Sequence, residues 1–550
     1  MTVRRVALVV VICLCCSDAA VAVSHATSPV NESASTPNAT LVEAYPNPVA
    51  RGDPGEFVAV RFEAPTNTTG WTITDGKTTA RLPNRTVDGT VAFSMTPDDA
   101  IEHTSHPVED LDGRLLLADG GETIKLRRDG ERVDTATYRN APVSRIRDFE
   151  AGAWRPVGAT GFDPVRTDGG DATAFVLPDA PEATVDAISD ADERLFVAGY
   201  ELTDERVVDA LLDARARGAE VRVLLDGSPV GGMSERQARL LDRLADSGVD
   251  VRLLSGPHLR YQHHHPKYAV ADDRALVLTE NFKPAGTGGK SSRGWGVALD
   301  DQSAADALAA VYEADADWRD AESWTTFRDG RDFQPADPAL GRFETTHPPE
   351  RVTVESATVL VTPDNAVEAL ERRIETADER VLIQQVDIDS AENSLLQAAI
   401  RAASRGVDVR VHLTGAWHSA DENDRLAAWL NRYAEAEALP LEARVDEPSG
   451  YDSIHTKGVI VDDTVVVGSL NWRASSKAEN REVLVALEGA SVASYYAAVF
   501  EHDWTTEDGE EHSVPAGLVG GVAVAIAGGL LVARRVDLVG RDEVITDWKW

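Results

Sequence analysis

Hydrophobic and polar positions fall into three textures along the 550 residues of the chain. Between about residues 41 and 147 the apolar positions come in short alternating runs. Examples are Phe57-Val-Ala-Val-Arg-Phe62, Trp71-Thr-Ile-Thr-Asp75, Arg114-Leu-Leu-Leu-Ala118 and Thr123-Ile-Lys-Leu126, separated by Gly, Asp and Pro. No helical period appears, so an all-β sandwich is predicted over 41–150. From about Val165 apolar strands alternate with amphipathic stretches, the pattern of an α/β layer fold. Residues 204–217 carry Val207, Val208, Leu211 and Leu212 at helical spacing, and Gly218 then stops the helix. A counterpart over 394–405 stops at Gly406. The third texture is apolar without charge, near the N-terminus and again over 514–533.

The α/β region repeats itself. Ala191-Asp-Glu-Arg-Leu-Phe-Val197 corresponds to Ala377-Asp-Glu-Arg-Val-Leu-Ile383, and Arg217-Gly-Ala-Glu-Val-Arg-Val-Leu-Leu225 to Arg405-Gly-Val-Asp-Val-Arg-Val-His-Leu413. Lys267-Tyr-Ala-Val-Ala-Asp-Asp273 corresponds to Lys457-Gly-Val-Ile-Val-Asp-Asp463, and the three offsets are 186, 188 and 190 residues. The register holds across each half, so the region is a duplication. The halves are placed at 165–335 and 356–508, joined by a Pro/Asp/Gly-rich linker over 336–355.

Composition adds a compartment. Asp and Glu number 92 against 54 Lys and Arg, a net charge of -38, with the 43% hydrophobic content of a globular protein. Only eight of the cations are Lys (positions 77, 125, 267, 283, 290, 457, 477 and 549). An acidic, lysine-poor surface is similar to that of proteins from extreme halophiles, where salt screens self-repulsion. It also disfavours a general nucleic-acid binder, which needs basic surface. All three cysteines, Cys13, Cys15 and Cys16, lie in an apolar run behind Arg4 and Arg5 and ahead of Ala20-Val21-Ala22. Residues 1–22 therefore read as a secretory signal peptide, leaving a mature chain without thiol chemistry. Residues 23–40 read as a flexible spacer, and sequons at Asn31, Asn38, Asn67 and Asn84 mark candidate glycan sites. Residues 514–533 are long enough to cross a bilayer and are followed by Arg534 and Arg535. Positive residues favour the cytoplasmic side, so the body is expected outside the cell and 534–550 inside, with a single-pass anchor in the cell membrane.

The chemistry sits at matched places in the repeat. His265-Pro-Lys267 and His455-Thr-Lys457 put imidazole and ammonium two residues apart, on one face of an extended strand. Each is followed by an apolar run, an Asp-rich turn (Asp272-Asp273, Asp462-Asp463) and a second apolar run, which predicts a hairpin. Then come Leu278-Thr279-Glu280-Asn281-Phe282 and Gly468-Ser469-Leu470-Asn471-Trp472. Thr279, Asn281, Ser469 and Asn471 are candidate donors to phosphate oxygens.

The doubled His-x-Lys-x4-Asp pattern with its hydroxyl-x-Asn elements resembles the phospholipase D superfamily over roughly residues 179–504. The resemblance implies two α/β halves sharing one active site. It implies His265, Lys267, Asp272, His455, Lys457, Asp462 and Glu482 as catalytic residues, His265 being the nucleophile that forms a phosphohistidine and His455 the general acid. The sequence alone leaves that assignment of the two histidines open. Two lysines and two asparagines can neutralise the phosphoryl charge, so no metal and no cofactor is expected. The family pattern also places an acid about 25 to 30 residues after each histidine. Glu482 fits, but the aligned stretch of the first half is Arg293-Gly-Trp-Gly296, so one imidazole lacks its carboxylate unless a group such as Glu280 replaces it. The first half also has Leu278 where glycine is usual. His263 and His264 read as loop residues rather than metal ligands, since neighbours on a strand point to opposite faces.

In the β region, Gly55-Glu56-Phe57-Val58, Gly70-Trp71-x-Ile73-x-Asp75 and Leu117-Ala118-Asp119-Gly120-Gly121 resemble the lamin-tail domain, an immunoglobulin-like fold. The resemblance implies a binding or spacing role for a partner the sequence does not name. The fold class is thus a duplicated phospholipase-D-like α/β domain, preceded by an immunoglobulin-like sandwich and followed by one transmembrane helix. The function it implies is a membrane-anchored extracellular phosphodiesterase or phosphatidyltransferase with a phospholipid substrate. A cell-surface nuclease and a catalytically weak surface binding protein are the alternatives.

Overall fold

The structure, a computed structural model, describes residues 39–48, 54–101, 103–256, 259–335, 339–446 and 450–505. The expected signal peptide, most of the spacer, the sequons at Asn31 and Asn38, the 514–533 segment and the tail lie outside the described residues. Asn67 and Asn84 lie within them and are exposed. No described helix is long and apolar enough to cross a membrane.

The N-terminal region is β-rich, with strands from Ala39–Tyr45 to Ala153–Pro156. A six-stranded and a five-stranded sheet close over one core, built around Val58, Phe62, Trp71, Ile73, Phe93, Ile124 and Leu126. The alternating runs supply these residues: Trp71 and Ile73 point inward, Thr72 between them is part-exposed.

Each following half is a mixed sheet. In the first, Asp250–Leu254, Glu220–Asp226 and Arg194–Gly199 run parallel. The motif hairpin Tyr268–Ala271 and Arg274–Leu278, then Ser292–Asp300, add antiparallel. The second half repeats this with Leu441–Val445, Asp408–Leu413, Arg380–Gln385, the hairpin Lys457–Val461 and Thr464–Gly468, and Val483–Glu488. The outer faces carry helices such as Glu205–Arg217, capped by the Asp204 side chain at one end and by Gly218 at φ 109° at the other. Between the sheets lies a core that belongs to both halves, with Trp295, Val297 and Tyr312 from the first and Ile460, Val483, Tyr496 and Phe500 from the second. Gly458, directly after a motif lysine, is shaped by this contact, because a Cβ there would lie 2.3 Å from the Trp295 ring.

The halves also trade strands, which moves the boundaries read from sequence. Val165–Thr167, read as the start of the first half, pairs with Ser356–Val361 in the second sheet. Glu350–Val354, read as linker, pairs with Gly170–Leu177 and completes the first sheet, burying Val352 and Val354. The alternation Arg351-Val352-Thr353-Val354 explains this: it is a strand with one apolar face.

Candidate active site

The two motifs meet across the interface because each is pinned to the other half. The backbone N–H of His265 donates to the carbonyl of Arg481 at 2.9 Å, and that of His455 to the carbonyl of Arg293 at 2.9 Å. Ser453–Ile454 pairs in parallel with Ser292 and Arg293, and His264 bridges to Arg481. The two arginines are themselves fully buried. Arg481 is held by Asp315 and Asp364, and Arg293 by Asp179 and Asp503. Removing either partner would strand a buried charge, so these clusters fix the main chain on which the histidines hang. Asp179 and Asp364 each follow a proline, Pro178 and Pro363, and this Pro-Asp pair recurs at an offset of 185 residues. That is a sequence signal the motif search passed over.

Each imidazole is met by a carboxylate from the opposite half. His265 Nδ1 lies 2.9 and 3.1 Å from the two oxygens of Glu482. An ionised carboxylate only accepts, so the ring proton belongs on Nδ1, which leaves Nε2 bare. Asn480 Nδ2 donates to Glu482 Oε1 at 3.0 Å and steadies it. On the other side His455 Nδ1 lies 3.1 Å from Glu280 Oε2, a contact short of a well-aligned hydrogen bond. The His265 side chain is 12% exposed and that of His455 is 28%. Burial pushes both imidazoles down to about 4, with the carboxylates opposing and the lysines reinforcing the shift. The Tyr200 ring packs edge-on against His265 at 4.9 Å.

Lys267 and Lys457 are buried in the same cluster. Their Nζ atoms donate to the carbonyls of His265 and His455 at 2.8 and 2.7 Å. Burial lowers both, Lys267 well below the usual lysine range and Lys457 to about 8; Lys457 further opposes ionisation of Lys267, and Lys283 that of Lys457. Two lysines and two carboxylates thus surround the two imidazoles.

The other expected site residues divide. Asp272 and Asp462 do not enter the site, which corrects their reading as catalytic. Five residues of strand, roughly 17 Å, separate each from its lysine. Asp272 instead accepts the N–H groups of Asp192, Glu193 and Arg194 at 2.8 to 2.9 Å. Asp462 accepts those of Asp378, Glu379 and Arg380 at 2.8 to 3.0 Å. Both occupy the hairpin turn at positive φ, 50° and 51°. Thr279 and Ser469 are buried, and their hydroxyls accept the N–H groups of Trp295 and Val483 at 2.9 and 3.1 Å, so they tie a loop to a strand. The Asn281 amide oxygen is buried without a partner. Asn471 is half-buried, and in both residues it is the amide NH2, not the oxygen, that would donate to a phosphate.

The three consecutive histidines go separate ways. His263 faces Asp226 at 3.6 Å, His264 faces Asp315 at 3.7 Å, and His265 faces Glu482. Among the described residues no cluster has the make-up of a metal site.

Beside the imidazoles, rather than over them, opens a groove of about 700 Å³ lined by Glu201, Arg236, Lys283, Lys290, Val230 and Leu340 among others. It starts next to His265, since the Val230 N–H donates to the Tyr200 hydroxyl at 2.6 Å.

Residues 184–316 and 370–504 each match the family model described as cardiolipin synthase, PLD-like domain. The chain therefore carries a duplicated PLD-like α/β domain behind an N-terminal β-rich region. Among solved structures it is similar to phosphatidylserine synthase of Haemophilus influenzae, at 12% identity over 65% of this chain and 94% of that one, with a TM-score of 0.46. It is also similar to polyphosphate kinase of Porphyromonas gingivalis, at 14% identity over 65% and 55%, with a TM-score of 0.40. A third likeness is to Nuc, a phospholipase D family member of Salmonella typhimurium, at 19% identity over 29% and 98%, with a TM-score of 0.24. No curated protein sequence matches the chain.

Proposed function

We propose that the chain is a membrane-anchored, outward-facing phosphodiesterase or phosphatidyltransferase of the phospholipase D type, working on phospholipid through a phosphohistidine. The observation that carries this reading is the reciprocal pairing of two imidazoles with two carboxylates, beside two buried lysines. In the free site both rings are neutral, so a nucleophile is present at ordinary pH. A bound phosphodiester anion favours a proton on one ring, and the pair then titrates as a unit. Nε2 of His265 attacks phosphorus, forming a P–N bond as the P–O bond to the leaving alcohol breaks. His455 gives its proton to that oxygen. His455 next takes a proton from water or a second alcohol, whose oxygen attacks phosphorus, and the P–N bond breaks to restore His265. The closer two-oxygen hold on His265 suits the nucleophile, and the greater exposure of His455 suits the group that exchanges protons with water. Lys267, Lys457, Asn281 and Asn471 balance the charge on the phosphoryl oxygens.

Lipid as substrate is supported by the description of the matching family, by the mixed cationic and apolar lining of the groove, and by the anchor expected over 514–533. The sandwich domain serves as a spacer or binds a surface partner. The test uses the full chain in detergent and high salt with chelator, assayed for release of the headgroup from phosphatidylglycerol vesicles and for cleavage of single-stranded DNA. Headgroup release is expected. Cleavage of DNA alone replaces the lipid reading by the nuclease one, and cleavage of neither contradicts phosphodiester chemistry.

A further inference from the structure

The first half has glycine where the second has its acid. Thr279 N–H donates to the Trp295 carbonyl at 2.9 Å, as Ser469 N–H does to Val483 at 3.1 Å. With the matched bonds of His455 to Arg293 and His265 to Arg481, this register sets Gly294 at the place of Glu482. The space there is not empty. A Cβ on Gly294 would fall 2.2 Å from Cγ of Glu280 and 2.8 Å from its Oε1. A Cβ on Gly286 would fall 2.6 Å from the other carboxylate oxygen. Glu280 thus fills a slot that two glycines leave open. Its own counterpart in the second half, Leu470, packs into that half's hydrophobic core.

We propose that Glu280 is the positioning residue of His455: the carboxylate has moved to the neighbouring strand end, and Gly294 is the room it needs. This rests on the two-histidine reading above. Glu280 is 0% exposed, neither of its carboxylate oxygens completes a well-aligned hydrogen bond, and its ion-pair partner is His455 Nδ1 at 3.1 Å. Burial opposes its ionisation, yet His455 and Lys457 outweigh burial and hold it below the usual carboxylate range. Ser292, at the place of Asn480, also favours the ionised form of Glu280, though its hydroxyl donates to the Ala285 carbonyl at 3.4 Å whereas Asn480 donates directly to Glu482. Because Glu280 belongs to the first half, the crosswise rule survives: each imidazole is still oriented by the opposite half. Glu280 steadies the Nδ1 proton and stabilises the imidazolium that donates to the leaving oxygen.

The test assays the full chain on bis(4-nitrophenyl) phosphate, a soluble phosphodiester. Glu280→Gln is expected to lower kcat by about 10- to 100-fold with KM little changed, the range seen for groups that orient a ligand or ring. Its pH optimum should move to the acid side, since without the carboxylate His455 holds its proton only at lower pH. The decisive variant is the transplant Glu280→Leu with Gly294→Glu, which copies Leu470 and Glu482. It should recover most of the activity that Glu280→Leu alone loses. Full kcat with an unmoved pH optimum in Glu280→Gln overturns the proposal, and so does a folded transplant no better than Glu280→Leu. If the transplant fails to fold, the Glu280→Gln profile decides. His455→Asn run alongside separates the two claims: full activity there sinks the two-histidine reading itself, whereas its loss beside an unaffected Glu280→Gln sinks only the role of Glu280.

Discussion

The two halves carry the same kinds of residue in exchanged places across the strand pair that follows each motif. In the first, Leu278 faces Gly296; in the second, Gly468 faces Leu484. The large side chain has changed strands and the glycine has changed with it. A Cβ on Gly296 would lie 2.7 Å from Leu278, and one on Gly468 would lie 2.4 Å from the carbonyl of Val483 and 2.6 Å from Leu484 Cα. The acid follows the same rule, Glu280 beside Gly294 against Leu470 beside Glu482. Neither the glycine nor the carboxylate of the first half was lost, as the motif comparison suggested. What stayed fixed is the main chain: the hairpins, the turn aspartates and the arginine carbonyls that hold the histidines. A duplicated fold conserves backbone relations and total volume, while the residue that fills a given volume is free to come from either strand.

The comparison can be broken most strongly at the exchanged pair. Leu278→Gly deletes a fully buried side chain and should cost about 3 to 5 kcal/mol by the range for large core deletions. Gly296→Leu alone should also destabilise, by about 1 to 3 kcal/mol or more, through overpacking. The double variant copies the second half and should be less destabilised than the sum, with a coupling of about 1 to 3 kcal/mol in denaturant unfolding. Recovery will be partial. Phe175 lies opposite Gly296, where the second half has Leu360 opposite Leu484, and its ring is only 2.4 Å from a Cβ at 296. Strict additivity would show that the two glycines are unrelated.

A smaller effect separates motif from site. Asp462→Ala removes the carboxylate that accepts three backbone N–H groups at a turn and should lower stability by about 1 to 2 kcal/mol, the cost of losing a cap, with kcat within about twofold. Thermal unfolding and turnover on the soluble substrate measure both. A collapse of kcat at unchanged stability would return Asp462 to the catalytic set.

Much of this was legible in the sequence because it was written twice. The repeat gave the α/β class, the hairpins and the histidine-lysine pairs, since two copies at matched places leave little room for chance. The alternating runs gave the β-rich N-terminal region. The roles of Asp272 and Asp462 were not legible, because a residue type in a motif does not say which way its backbone carries it; five residues of strand put it at the far end. Nor was the crosswise pairing, since a linear comparison of Glu482 with Gly294 treats each half as self-contained. Val165–Thr167 and Glu350–Val354 changed sides for the same reason: edge strands pair with whatever edge the interface presents. Glu280 could be named from sequence as a possible replacement for the missing acid, but the volume left for it by Gly294 could not be read there.

The central claim, two histidines dividing nucleophile and acid across one interface, is tested most directly by trapping. His455→Asn lacks the group that activates water, so after incubation with bis(4-nitrophenyl) phosphate at neutral pH a phosphoryl adduct should accumulate on the protein. Peptide mass spectrometry and phosphorus NMR should place it on His265, as an acid-labile phosphoramidate, with about one equivalent of nitrophenol released. An adduct on any other residue, or steady turnover by the variant, contradicts the account.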